Sequence, residues 1–331
     1  MKKWLCLLLI ACLFTITFVG CSNDAPKQQE SSEPISVRIA GLQGPTSIGM
    51  IRLFEEKPSL GENVDSVYEV VPSPDVLVSK LLSQEVEFAA LPTNTAAQLY
   101  NKDGNYQLAA VSIWGVLYLL TTDENIQGFS DLKGKQIESS NKGTTPDVLF
   151  RYLLQKNGLY PESDVVLNYN LPHVELAQSM AAGQIETAVL PEPFATMVTL
   201  KNEKVRIAID FQEEWKKISK SDTSYPQTCL VVNKNFAQAH PDIVKNFLDH
   251  YKASIDWANE NPAEAGTLVE KHNIGLQAKM AEKAIPRCNM RFESAEKAAP
   301  VVEEYLNMLL EFSPQDIGGK LPDENFYYIG K

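Results

Sequence analysis

The segment Ile35-Ser36-Val37-Arg38-Ile39, followed by Gly41-Leu42-Gln43-Gly44-Pro45-Thr46-Ser47-Ile48-Gly49-Met50, is the stretch whose reading decides the fold. Its first part is strand-like. Three glycines, a proline and two hydroxyls then stand just before what reads as a helix. Glycine permits positive φ and close backbone approach, proline tolerates the first helical turn, and Ser or Thr caps free N–H groups. The segment is a strand-to-helix corner of a kind that can hold a ligand, with Gly44, Pro45, Thr46 and Ser47 as its candidate contacts.

Three other stretches repeat the design: Leu91-Pro92-Thr93-Asn94-Thr95, Lys142-Gly143-Thr144-Thr145-Pro146-Asp147 and Leu190-Pro191-Glu192-Pro193-Phe194. In open α/β sheets such corners gather at the carboxyl ends of the strands, where ligands bind. Each would present a helix N-terminus with unpaired N–H groups and a partial positive charge. The candidate contacts are Pro92, Thr93, Asn94, Gly143, Thr144, Thr145 and Glu192, with Thr145 read as an N-cap and Pro146 as the first helical residue. Capping alone explains any single corner. The repetition favours a shared site.

Between the corners, short apolar segments alternate with helical ones. Strands are expected at 64–71, 88–91 and 106–111, then again at 136–139, 165–169, 187–190 and 205–209, with helices between them. This βαβα rhythm implies parallel or mixed sheets covered by helices, built as two similar lobes in succession. The run 111–122, with Gly115 in its middle, reads as a crossing between lobes, and 227–232 as a second. After it come almost only amphipathic helices, which return to complete the first lobe. The expected division is 35–115 plus 228–331 for one lobe and 116–227 for the other. Trp114, Tyr118 and Tyr225 lie near the crossings; Trp114 and Tyr225 are candidates to stack on a planar ligand, against the alternative that such aromatics are core.

The N-terminus speaks to location. Met1-Lys2-Lys3 is basic, Trp4 to Val19 carries no charge, and Val19-Gly20-Cys21 ends the run as a lipobox would. Residues 1–20 read as a lipoprotein signal and Cys21 as the acylated, palmitate-bearing N-terminus, against a plain membrane anchor, which needs roughly 20 apolar residues. Residues 21–34 form a polar tether. Thirty basic against forty-two acidic residues give a net charge of −12, which argues against a nucleic-acid partner. In the body only Cys229 and Cys288 remain, as a disulfide or as two buried thiols, and His173, His240, His250 and His272 read as surface or helix-end residues. No metal-ligand spacing and no nucleophile–base constellation is present, so neither a cofactor nor an enzyme is expected.

At Asp131-Leu132-Lys133-Gly134-Lys135-Gln136-Ile137 and Lys142-Gly143-Thr144-Thr145-Pro146-Asp147-Val148-Leu149-Phe150 the chain resembles the periplasmic-binding-protein group that serves nitrate, sulfonate, taurine and thiamine-pyrimidine ABC importers. Leu81 to Pro92 and Met180 to Phe194 fit it too. The resemblance implies a type II two-lobe fold that closes on a small ligand, and delivery to a permease and its ATPase by a lipid-anchored monomer outside the cell membrane. It places ligand-facing loops at Gly44 to Ser47, Pro92 to Asn94, Gly143 to Thr145 and Glu192. None of these loops holds an arginine, and an ionised Glu192 would disfavour an anion. The expected substrate is therefore a planar, pyrimidine-type vitamin precursor, with a sulfonate, taurine or nitrate as the alternative. A ligand-sensing or adhesive surface lipoprotein is the rival of another class.

Overall fold

The computed structural model describes residues 34–161, 163–219 and 223–330; the signal, the tether and Cys21 lie outside the described residues. Strands β1 (Ile35–Leu42), β2 (Val64–Val71), β3 (Phe88–Pro92) and β4 (Tyr106–Trp114) enter a first sheet. The chain then builds a second from β5 (Leu117–Thr121), β6 (Gln136–Glu138), β7 (Val166–Asn168), β8 (Thr187–Pro191) and β9 (Arg206–Asp210). It returns to the first through β10 (Pro226–Asn233) and β11 (Met290–Ser294). The orders are β11-β4-β10-β3-β1-β2 and β7-β6-β8-β5-β9.

The sheets share one plan. In each, three parallel strands (β2-β1-β3 and β7-β6-β8) meet an antiparallel strand that has just arrived from the other sheet, β10 in the first and β5 in the second. Strands β3 and β8, Phe-Ala-Ala-Leu-Pro and Thr-Ala-Val-Leu-Pro, are buried along their whole length, as expected for strands covered on both faces. This is the fold of the type II periplasmic binding proteins, as the resemblance implied.

Helices fill the connections: α1 (Pro45–Gly49), α2 (Ile51–Glu56), α3 (Pro74–Leu82) and α4 (Thr93–Asp103) on the first sheet, then α5 (Thr145–Lys156), α6 (His173–Ala181), α7 (Phe194–Lys201) and α8 (Phe211–Ile218) on the second. After β10 come α9 (Lys234–Ala239), α10 (Pro241–Glu260), α11 (Pro262–Lys271), α12 (Ala278–Ala284) and α13 (Ala295–Phe312). The stripe Ile243, Phe247 and Tyr251 of α10 is buried, as its spacing predicts. Among the described residues no helix is long and apolar enough to cross a membrane.

Two details differ from the sequence reading. The run 111–122 is not continuous: β4 ends at Trp114, β5 begins at Leu117, and Gly115 lies between them against the returning chain. A Cβ on Gly115 would stand 2.4 Å from Ser224 Oγ and 2.6 Å from the Tyr225 ring, so only glycine lets the two crossings touch. Gly115 N donates to Ser224 Oγ, and Gln212 Oε1 accepts from Leu117 N and Tyr225 OH, which fixes the crossings to each other. The second difference is β11, which pairs antiparallel with β4 among the late helices. Cys229 and Cys288 are separate buried thiols, and burial pushes Cys229 up to about 12.

Candidate functional site

The carboxyl ends of the parallel strands face one another across a cleft of about 90 Å³. All four corners reach it. Leu42, Gln43, Pro45 and Thr46 come from the first, Pro92 from the second, Asn141, Thr144 and Pro146 from the third, and Pro191 and Phe194 from the fourth. Ile113 and Val116 flank the first crossing, and Gln227 and Thr228 open the second.

Of the candidate contacts read from the sequence, Pro45, Thr46, Pro92 and Thr144 line this cleft, as does the helix-opening Pro146, and the others are not among its lining residues. Gly44 has a φ of 101°, which favours glycine; a Cβ there would meet the Phe194 ring only at an ordinary contact distance of 3.7 Å, so the turn and not the space calls for glycine. Thr93 is fully buried. Thr46 and Ser47 both donate to the carbonyl of Leu42, at 2.5 and 2.7 Å. Their hydroxyl hydrogens are thus engaged within the loop, and Thr46 offers the cleft only lone pairs. In the third corner Thr144, not Thr145, is the N-cap residue, and its hydroxyl donates to Asn141 O at 2.6 Å. Thr145 donates to Asn94 Oδ1, while Asn94 Nδ2 donates to Gly143 O and Asp316 O. Asn94 and Thr145 therefore tie the corners together from behind.

Three expected contacts are turned away by stronger claims. Glu192 forms a 2.7 Å ion pair with Arg287 Nε and accepts from Thr196 N at 3.0 Å. Burial pushes its carboxyl upward, a shift that the Arg287 charge opposes. The argument that Glu192 would repel an anion in the cleft accordingly falls. Trp114 is buried, donates Nε1–H to Arg291 O and carries the Arg291 guanidinium 4.4 Å from its ring centroid. Tyr225 is buried between the crossings and packs edge-on to Trp215. Both are core aromatics.

The sequence reading passed over a fifth corner, Leu171-Pro172-His173-Val174, although its Leu-Pro dipeptide repeats Leu91-Pro92 and Leu190-Pro191. His173 opens α6 and lines the cleft rather than the surface. Its ring stacks on Phe194, with centroids 5.9 Å apart and planes 24° apart, and Ser140 Oγ lies 2.5 Å from Nδ1. Burial lowers its pKa to about 4, so the imidazole is neutral at pH 7. A lowered folded-state pKa means that the unfolded chain binds the proton first. Stability from this group is complete above pH 6.5 and is lost as the pH falls from there through about 4. His173→Gln should flatten that acid limb in urea unfolding measured at several pH values; an unchanged limb would assign it to other groups.

The polar groups lining the cleft are Gln43, Thr46, Asn141, Thr144, His173, Gln227 and Thr228, with no Asp, Glu, Lys or Arg among them. Gln227 is 6 % exposed, and its Oε1 is buried without a hydrogen-bond partner. With the Thr46 and Thr144 lone pairs it makes a wall richer in acceptors than the loops' hydroxyl content suggests. Gln43 and Asn141 can still donate, and α5 and α6 begin here without a side-chain cap on their first N–H groups. This arrangement can hold a small molecule by hydrogen bonds against the flat Phe194–His173 pair.

Comparison with known proteins agrees with the geometry. A family model described as NMT1/THI5 like matches residues 108–265. The crystal structure of an ABC transporter from Parabacteroides distasonis is similar at 31% identity and a TM-score of 0.73, covering 89% of this chain and 99% of that one. The alkanesulfonate-binding protein SsuA from Xanthomonas axonopodis pv. citri, bound to MOPS, is similar at 15% identity and a TM-score of 0.68, over 88% of this chain and 96% of its own. "Putative binding protein YtlA" of Bacillus subtilis is 22% identical over 284 residues, 80% of this chain and 77% of that protein.

Proposed function

Because the chain belongs with the periplasmic binding proteins that are the solute-binding components of ABC-type transporters, and its residues 108–265 match the model described as NMT1/THI5 like, we propose that it captures a small, planar, uncharged ring bearing N–H donors and hands it to a permease. The observation that carries this reading is the acceptor-rich, uncharged lining centred on the unpartnered Gln227 Oε1. In this state Gln227 Oε1 is covered as well as unpartnered, so the side chain must turn towards the cleft to meet a ligand N–H; a buried acceptor that gains its first partner then gains more than an exposed one would. An oxyanion would bring further lone pairs to the same place. The ring preference retains a pyrimidine-type head but rests on Gln227, Thr46 and Thr144 instead of Glu192 and Trp114.

In this reading the protein binds and does not catalyse. Residues 35–115 with 228–331 form one lobe and 116–227 the other. They close on the ligand about the paired crossings at Gly115 and Ser224–Tyr225, and the chain is held outside the cell membrane by a lipid on Cys21. An intact mass of the mature chain that lacks the acyl groups would remove the anchor from the proposal.

A second reading has its own support. The uncapped starts of α5 and α6 suit an anion such as a sulfonate. Thermal unfolding against cytosine, related amino-heterocycles, taurine, alkanesulfonates and nitrate separates the two. A ligand that binds only the native state adds about 2.7 kcal/mol at a hundred times its dissociation constant. The expected result is a rise in Tm with the amino-heterocycles and none with the anions; the reverse result overturns the ring preference. Gln227→Leu should weaken the heterocycle by roughly 10-fold or more without lowering the ligand-free Tm, since its side chain has no partner to lose.

A further inference from the structure

Resting on that reading of the inner cleft, we infer that the mouth of the cleft is a second, anion-accepting subsite, and that the full ligand is a neutral ring joined to an anionic tail. The first ground is space. The inner cleft holds about 90 Å³, and ligand sites for organic molecules usually offer about 300–1,000 Å³. Directly outside it lies a further 320 Å³, and Pro74, Asn141, Thr144 and Pro172 line both spaces. The shared lining makes the two spaces neighbours, so a substituent on an inner ligand can be directed towards this outer room.

The second ground is the change in chemistry along that way. The inner wall has no ionised side chain, whereas Lys142, Asp75, Tyr169 and Asn170 line the outer room. Lys142 Nζ lies 5.5 Å from the centroid of the Tyr169 ring, and among the described residues it has no ion-pair partner. The ring holds the ammonium over the opening and leaves its N–H donors for another group. Asp75 faces the same room and opposes an anion there. It stands in the first turn of α3, where the N-terminus of that nine-residue helix favours its carboxylate and offsets its charge. Lys142 belongs to a loop of the second sheet and Asp75 to the first turn of a helix on the first, so a tail between them also bridges the cleft.

The test is isothermal titration of the intact mature protein with two compounds that share a head: cytosine and cytosine-1-acetate. The tail compound is expected to bind roughly 5–10-fold more tightly, the scale of a charge-assisted contact at a partly exposed site. Lys142→Met should remove that gain and leave cytosine unchanged, while Asp75→Asn should strengthen the tail compound alone. Equal affinities in the wild type, or a gain that survives Lys142→Met, overturn the subsite while cytosine binding upholds the inner reading. If cytosine fails and a sulfonate binds instead, the inner reading has failed; the subsite then stands only if Lys142→Met weakens that sulfonate. Silence from all of them overturns both.

Discussion

Replacement of Asp147 by alanine is expected to destabilise the protein by about 3–5 kcal/mol, the usual result of removing one partner from a buried charged cluster. Asp147 is fully buried in the first turn of α5. Its carboxylate accepts from Gly143 N at 2.7 Å, from Tyr169 OH at 2.5 Å and from Arg151 Nε at 3.2 Å, and Arg151 continues to Asp316 at 2.8 Å. The substitution leaves Arg151 with one acid and deprives Gly143 N of its acceptor. Gly143 and Thr144 form the third corner, so ligand affinity should fall with stability. Urea unfolding of Asp147→Ala and Asp147→Asn measures the effect; asparagine keeps the shape and one acceptor, and should lose less. A loss below 1 kcal/mol for alanine would show that the corner is held by its backbone alone.

Removal of Arg287 has the second large effect, with a characteristic dependence on pH. Glu192 is fully buried and Arg287 is 44 % exposed, so solvent already screens part of their attraction. The expected loss for Arg287→Met is therefore about 2–3 kcal/mol at pH 7.5, below the range for a fully buried pair. Burial raises the Glu192 pKa even with Arg287 present. For an acid raised in the folded state, stability is complete below its ordinary value of 4.5 and is lost as the pH rises through the raised one. The variant should therefore recover relative to wild type on acidification towards pH 5. Adding Glu192→Gln should restore part of the loss at pH 7.5. A deficit that does not vary with pH would mean that Arg287 acts through packing against Tyr118, whose ring lies 5.4 Å from its guanidinium.

How much of this was legible in the chain follows from the range of each interaction. The corners were legible because glycine, proline and hydroxyl residues act within a few positions of themselves. The paired sheets were legible because strand and helix spacings repeat. The direction of a side chain within a corner was not, because it depends on partners far along the chain. Asn94 turns to Asp316, and Glu192 to Arg287. Trp114 and Tyr225 looked available because they stand beside the crossings; Arg291, which covers Trp114, comes from a remote segment, and Trp215, which packs on Tyr225, comes from the helix just before it. His173 and Gln227 were missed for opposite reasons. The first carried the same Leu-Pro signal as its neighbours, whereas a polar residue at the start of a strand carries no local signal at all.

Seven prolines line the inner cleft: Pro45, Pro72, Pro74, Pro92, Pro146, Pro172 and Pro191. Each has its φ fixed near −65° and lacks an N–H. Such a wall surrenders little backbone freedom when a molecule arrives, because that freedom was already lost on folding. It also cannot rearrange to follow a poorly fitting guest. Affinity across a ligand series should therefore track shape and desolvation steeply, each wall moving as a unit when the lobes close, like two halves of a mould whose faces were set before they met.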